Sequence, residues 1–364
     1  MSRLDFTLRE NALSRAVAAR REPFVDLTVS NPTVVGLPVH EVALPPSPAY
    51  DPDPRGRPAA REAVAEYHGV SPEQVILTAS TSEAYSWLFK LLCDPGDEVL
   101  VPQPSYPLFE YLTALESVRA VPYGLQWDGE WHLDVSTLRI TPRTRAVLVV
   151  NPGNPTGAFL KMSEREALSR TGLPLISDEV FADFAVAPDP RRMRTVAAYD
   201  DVLSIALSGL SKVAGLPQLK LGWMVASGPG AQELLRRLEL IADTYLSVGG
   251  PVQLAAPELL AGRHGFQQAL NSRLAQNRAA LLAARPPGAA WDVLRSEGGW
   301  SAILSVPRSR SDEKWALRLL DAGVLVHPGY FFDFPAGAHL VLSLLGPPEA
   351  FARGVEILAR ALGE

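Results

Sequence analysis

The sequence predicts an α/β protein in three layers, a mainly parallel sheet with helices on both faces, joined to a smaller α+β domain. Three observations lead there. Short apolar runs at 146–150 (AVLVV), 173–176 (LPLI) and 202–207 (VLSIAL) are the bounded kind expected of strands buried on both faces. From Arg61 onward such runs alternate with helical spacings, the signature of βα units. From about Gly288 the alternation gives way to strands and helices in mixed order.

The elements follow in chain order. Leu4, Leu8 and Leu13 have helical spacing in a polar N-terminal stretch, and FVDLTV (24–29) reads as a strand. The proline-rich stretch from Asn31 to Pro58 excludes a long helix or a central strand and implies an extended surface segment. A helix near AAREAVAEYHG, a strand at 74–78, a helix from Ser82 to Leu92, the turn DPGD and a strand at 98–102 come next. The three apolar runs follow, then a strand at 219–227 and a helical region from Ala231 through the 270s. Strands at 301–306 and 339–345 and helices at 311–322 and 347–362 complete the chain. The expected division is an N-terminal segment (1–45) packing with the small domain, a large domain (46–255) and a small C-terminal domain (256–364).

Composition narrows the function. With 364 residues, 47% hydrophobic and 20% charged, the chain has material for a large core. A net charge of −6 with scattered Arg pairs gives no electrostatic footprint for nucleic acid. The lone Cys93 lies in an apolar stretch and reads as a small core residue. The N-terminus has no apolar signal region and no 18-residue uncharged apolar stretch occurs, so a cytoplasmic location is expected. The six histidines form no HExxH or other close ligand cluster, so no metal is expected.

Each of the three apolar runs ends in a polar segment: NPGNPTG (151–157), SDEVF (177–181) and SGLSK (208–212). Ligands of parallel sheets sit beyond the carboxyl ends of the strands, and those ends carry Asn154, Asp178 and Lys212. Upstream, QVILTASTSEAY reads as strand, small polar turn and helix, so backbone amides of Ser80 and Thr81 would face an anion at a helix N-terminus. Capping by Thr81 or Ser82 is compatible with that role.

These segments, in this order and over nearly the whole chain, resemble the class I/II aminotransferases of the fold-type I pyridoxal phosphate family, which implies a large-domain sheet of the seven-stranded type. The resemblance implies that Lys212 forms a Schiff base with pyridoxal 5'-phosphate and afterwards carries the proton. It implies that Asp178 pairs with the pyridine nitrogen, keeping the ring an electron sink, and that Asn154 donates to the ring oxygen. Tyr106, in PQPSYPLF, is the implied stacking aromatic, while Ser211 and Lys220 join Ser80 and Thr81 on the phosphate. Tyr50 matches a tyrosine that reaches the phosphate of the other subunit, which implies a homodimer. GGWSAIL (298–304) and HPGYFFDF (327–334) resemble elements of the small domain that close over substrate. The implied activity moves an amino group from an amino acid or amine to a 2-oxo acid. A β-lyase or decarboxylase would use the same Lys212 and Asp178, and a non-catalytic cofactor-binding protein is the remaining alternative.

Three positions depart from the family pattern. Lys220 stands where the family has arginine, offering a point charge for a fork. Phe181 replaces a tyrosine that donates to the cofactor ring oxygen, which should raise the pKa of the Lys212–cofactor linkage. Val341, in HLVLSLL, replaces the arginine that grips the substrate carboxylate. Strand alternation puts His339 on the same face and makes it a candidate substitute.

Overall fold

The computed structural model describes residues 10–40, 42–46 and 49–363, so Leu4 and Leu8 lie outside the described residues. Its centre is an eight-stranded sheet in the order Val75–Thr78, Gly222–Ser227, Ser204–Gly209, Leu175–Asp178, Thr144–Val150, Glu98–Gln103, Arg119–Trp127 and Trp131–Leu133. The five strands from Ser204–Gly209 to Arg119–Trp127 run parallel. Gly222–Ser227 is antiparallel to both of its neighbours. The eighth strand, Trp131–Leu133, extends the expected sheet by a hairpin folded back on its edge partner.

Alternation of side chains explains why these runs are apolar throughout. In Thr144–Val150, Val147 and Val149 enter a core beneath the helices Pro58–His68 and Gly250–Ala261, while Ala146 and Leu148 enter the core on the other face. The second core is closed by the helices Thr81–Leu92, Leu108–Leu115 and Ala231–Tyr245. The helical region after Ala231 is three helices, because Gly249, Pro251 and Gly262 interrupt it: Ala231–Tyr245, Gly250–Ala261 and Arg263–Ala283. The anticipated division at 255/256 falls inside the second of these, and we propose Gly262 as the boundary.

The smaller part is a four-stranded antiparallel sheet, Asp292–Leu294, Ser301–Ser305, His339–Ser343 and His327–Pro328. The helices Asp312–Ala322 and Pro348–Gly363 share its core. From the N-terminal segment, Val25–Asp26 pairs in parallel with Val324–Leu325, and Leu13 of the helix Ala12–Ala19 enters the same core. No described helix is long and apolar enough to cross a membrane.

Candidate active site

A cavity of about 350 Å³ opens where the two sheets meet. Lys212, Ser80, Thr81, Tyr106, Asn154, Asp178, Phe181, Ser211 and Lys220 all line it. They converge because the strands Val75–Thr78, Thr144–Val150, Leu175–Asp178 and Ser204–Gly209 finish at one edge of the sheet, and each next segment starts there. Tyr50 does not line this cavity: it is 84% exposed and belongs to a separate surface depression with Trp87 and Gln253.

The anion pole is built at the N-terminus of Thr81–Leu92. Ser80 caps it, its hydroxyl accepting from the Glu83 N–H at 3.2 Å, so the cap lies one residue before the positions the sequence suggested. The first-turn amides of Thr81 and Ser82 have no partner within the helix and carry its positive dipole end. Gly222 lets the neighbouring strand pass close by, since a Cβ there would stand 3.0 Å from the Ser80 carbonyl carbon and 3.2 Å from the Ser208 oxygen. Lys220 adopts the left-handed conformation at φ 50°, which is uncommon outside glycine.

The opposite pole is Asp178. Its carboxylate accepts from the Tyr85 hydroxyl at 2.9 Å and from the Val180 N–H at 3.2 Å. Burial pushes its pKa upward, while those two donors and Lys212 oppose the shift. Tyr85 is the main residue that sequence reasoning missed. As an aromatic on the apolar face of Thr81–Leu92 it gives no signal distinguishing it from core.

Lys212 lies on the short helix Leu210–Val213 after Gly209. Burial holds its amine below the ordinary lysine value, with Asp178 pulling the other way. Its Nζ lies 5.0 Å from the Trp300 ring centre and 5.9 Å from that of Phe181, and those rings meet edge to face at 5.2 Å. A buried amine with a lowered pKa is more often neutral and hence more nucleophilic. By contrast, burial pushes the Cys93 thiol up to about 12, which leaves it inert.

Of the two asparagines in NPGNPTG, Asn151 is spent on structure, its Oδ1 accepting from Leu160 N–H at 3.0 Å and its Nδ2 donating to Met193 O at 3.4 Å. Asn154 is the one that faces the cavity. Glu179, next to Asp178, points away and accepts from the Val196 N–H at 2.9 Å. Burial pushes its carboxyl up to about 7 from 4.5. A folded pKa above the unfolded one gives stability that is complete below 4.5 and disappears as pH rises through about 7. Relative to Glu179→Gln, the protein should therefore lose roughly 3 kcal/mol across that window. Denaturant melts at several pH values check this, and parallel curves for the two proteins would refute it.

The wall facing Asp178 comes from the small sheet. Val341 is 2% exposed, pairs with Ile303 and His327 on its two sides, and joins Trp131, Leu294, Ile303 and Phe332 in an apolar cluster. Across an antiparallel pair the side chains share a face, so His327 stands beside Val341, and it lines the cavity. His339 shares the face but is absent from the lining; its ring stacks on Phe334 at 4.4 Å. The histidine on the cavity wall is thus one strand over from the one that alternation offered. Among the described residues no arginine lines the cavity.

Comparison with known proteins gives this arrangement a family. The family model "Aminotransferase class I and II" matches residues 49–356. A glutamate-pyruvate aminotransferase of Escherichia coli is 30% identical over 319 residues, covering 81% of this chain and 78% of its own. An alanine aminotransferase of Mycobacterium tuberculosis is 29% identical over 374 residues, covering 92% and 85%. The solved structure of an alanine aminotransferase from Pyrococcus furiosus superposes with a TM-score of 0.84 at 25% identity, covering 96% of this chain and 94% of that one. A fold, a site at the strand ends and a family match over most of the length agree, and the chain belongs to the class I and II aminotransferases.

Proposed function

We propose that the chain is a pyridoxal phosphate-dependent aminotransferase that takes the amino group of an α-amino acid and passes it to a 2-oxo acid. The observation that carries the reading is the donor set of one cavity. An anion pole at the Ser80–Ser82 turn, a buried carboxylate at Asp178 and a buried amine at Lys212 match the phosphate, ring nitrogen and aldehyde of that cofactor.

In this reading the amides of Ser80 and Thr81, the Ser211 hydroxyl and the Lys220 ammonium hold the phosphate. Asp178, itself oriented by Tyr85, holds the ring nitrogen. Asn154 donates to the ring oxygen and Tyr106 covers the ring. When bound, the cofactor supplies an electron sink for the carbon that bears the amino group. Lys212 would hold the cofactor through its amine and, once displaced by the incoming amino group, would carry the proton at the substrate carbon. Phe181, Trp300, Phe332 and Val341 keep water from that proton. Tyr50, solvent-exposed in one chain, is free to reach a second copy, and sedimentation at working concentration tests the dimer: a monomer would remove Tyr50 from the site.

Phe181 gives a test independent of turnover. Phe181→Tyr adds a hydrogen-bond donor near the ring oxygen, and the visible absorption of the cofactor-loaded protein should then titrate at lower pH, by about one unit. An unchanged midpoint would remove Phe181 from the cofactor's surroundings.

The substrate reading starts from the names of the relatives, alanine and glutamate-pyruvate aminotransferases. We propose L-alanine as a donor, with its carboxylate meeting His327 and the hydroxyls of Thr28, Ser30 and Ser343 in place of an arginine. A second reading, β-lyase or decarboxylase chemistry, is favoured by that missing arginine alone. Product analysis with L-alanine and with an alanine bearing a leaving group on its β-carbon separates the two: transamination gives pyruvate from L-alanine without ammonia or carbon dioxide, decarboxylation gives carbon dioxide, and β-elimination gives pyruvate and ammonia from the second substrate alone.

A further inference from the structure

Strands Asp292–Leu294 and Ser301–Ser305 belong to the small sheet, yet the loop between them is built into the large domain. Val186 N–H donates to Glu297 O at 2.8 Å and Gly299 N–H to Phe184 O at 3.0 Å. No side chain fits between the two surfaces: a Cβ on Gly157 would stand 2.3 Å from Gly298 O, and one on Gly298 would stand 2.7 Å from the Phe159 ring.

At the centre of this contact is Glu297, 2% exposed. One carboxylate oxygen accepts from the Lys161 ammonium and from the Phe159 N–H at 3.0 Å; the other accepts from Arg192 Nε at 3.0 Å. The side chains of Lys161 and Arg192 are themselves only 9% and 10% exposed. Farther out, Asp189 lies 3.9 Å from Arg192, and Glu130 joins Arg191 to Arg295. Only two glycines separate Glu297 from Trp300, whose ring rests on Phe181, Phe184 and the Lys212 amine.

We propose that Glu297, clamped by Lys161 and Arg192 of the large domain, is a positioning residue that fixes the Trp300 ring against the Lys212 amine. A buried ion cluster suits this use, since breaking one member leaves charge stranded, so the geometry has no cheap alternative. The face of Trp300 favours positive charge on the Lys212 nitrogen. Glu297 therefore acts at a distance on the proton affinity of that nitrogen. The charged and titratable groups sharing the cavity with Lys212 are Asp178, Lys220, His327, Tyr85 and Tyr106, and none of them touches Glu297.

The test rests on the reading of Lys212 as the cofactor's attachment point, and uses the cofactor-loaded protein. Its visible absorption is titrated with pH for the wild type, Glu297→Gln, Trp300→Leu and the double variant, with thermal melts alongside. Glu297→Gln should lower the titration midpoint by about half a pH unit, Trp300→Leu should lower it at least as far, and the double variant should match Trp300→Leu alone. Glu297→Asp, which keeps the charge, should fall between wild type and Glu297→Gln. A lower melting temperature with an unmoved midpoint would make Glu297 merely structural and overturn the proposal, as would additive shifts in the double variant. If Glu297→Gln does not fold, Arg192→Lys, which keeps the charge but loses the Nε contact, takes its place. A wild type that forms no visible band would instead overturn the reading of Lys212, so the two failures are distinguishable.

Discussion

Replacing Lys212 with alanine should abolish attachment of the cofactor and reduce amino transfer by about a thousandfold or more. Lys212 is assigned two tasks, nucleophile and proton carrier, and loss of a positioned acid–base group alone costs roughly 10²–10⁴ in rate. Its burial suits both, because desolvation lowers its pKa while Asp178 pulls the other way. Borohydride reduction followed by peptide mapping should place the cofactor on the peptide containing Lys212 in the wild type and nowhere in the variant. Near-normal turnover by Lys212→Ala would end the mechanism. A lysine elsewhere carrying the label would relocate the site.

Val341→Arg should raise kcat/KM for L-alanine by about 10- to 100-fold, the scale of two charge-assisted hydrogen bonds to a carboxylate. Val341 faces the cavity between Ile303 and His327, so a longer side chain has room to extend into it. The gain comes with a loss of stability, about 1–3 kcal/mol, because Val341 leaves the cluster of Trp131, Leu294, Ile303 and Phe332. Steady-state kinetics with L-alanine and ethylamine make the comparison: the arginine should favour only the substrate with a carboxylate. A folded variant with no gain for alanine would mean that the carboxylate does not approach this wall.

The sheet and most of the site were legible in the sequence because their signals are local. A both-face-buried strand must be apolar throughout, and the residue after its last turn is presented at a fixed edge, so Asn154, Asp178 and Lys212 could be placed in order. Partnerships across the fold were not legible. Tyr85 reaches Asp178 from a helix 93 residues earlier, and nothing near either residue announces the pair. Alternation correctly put His339 on the face of Val341, but the imidazole that lines the cavity is that of His327, and only the register of the two strands reveals it. The strand expected from 219 begins at Gly222, because Pro217–Leu219 forms a 3-10 turn and Lys220 turns left-handed before it. The breaks among the later helices did have a signal, the GGP at 249–251, which the Leu- and Ala-rich pattern around it obscured.

The most direct measurement is a single half-reaction: the cofactor-loaded protein is mixed with L-alanine without any oxo acid, and pyruvate, ammonia and carbon dioxide are counted against subunits. The account predicts pyruvate stoichiometric with Lys212, neither of the other products, and recovery of the original absorption when a 2-oxo acid is added. Carbon dioxide, or no pyruvate at all, would contradict it, since alanine has no β-leaving group to expel and a β-lyase would leave it unchanged.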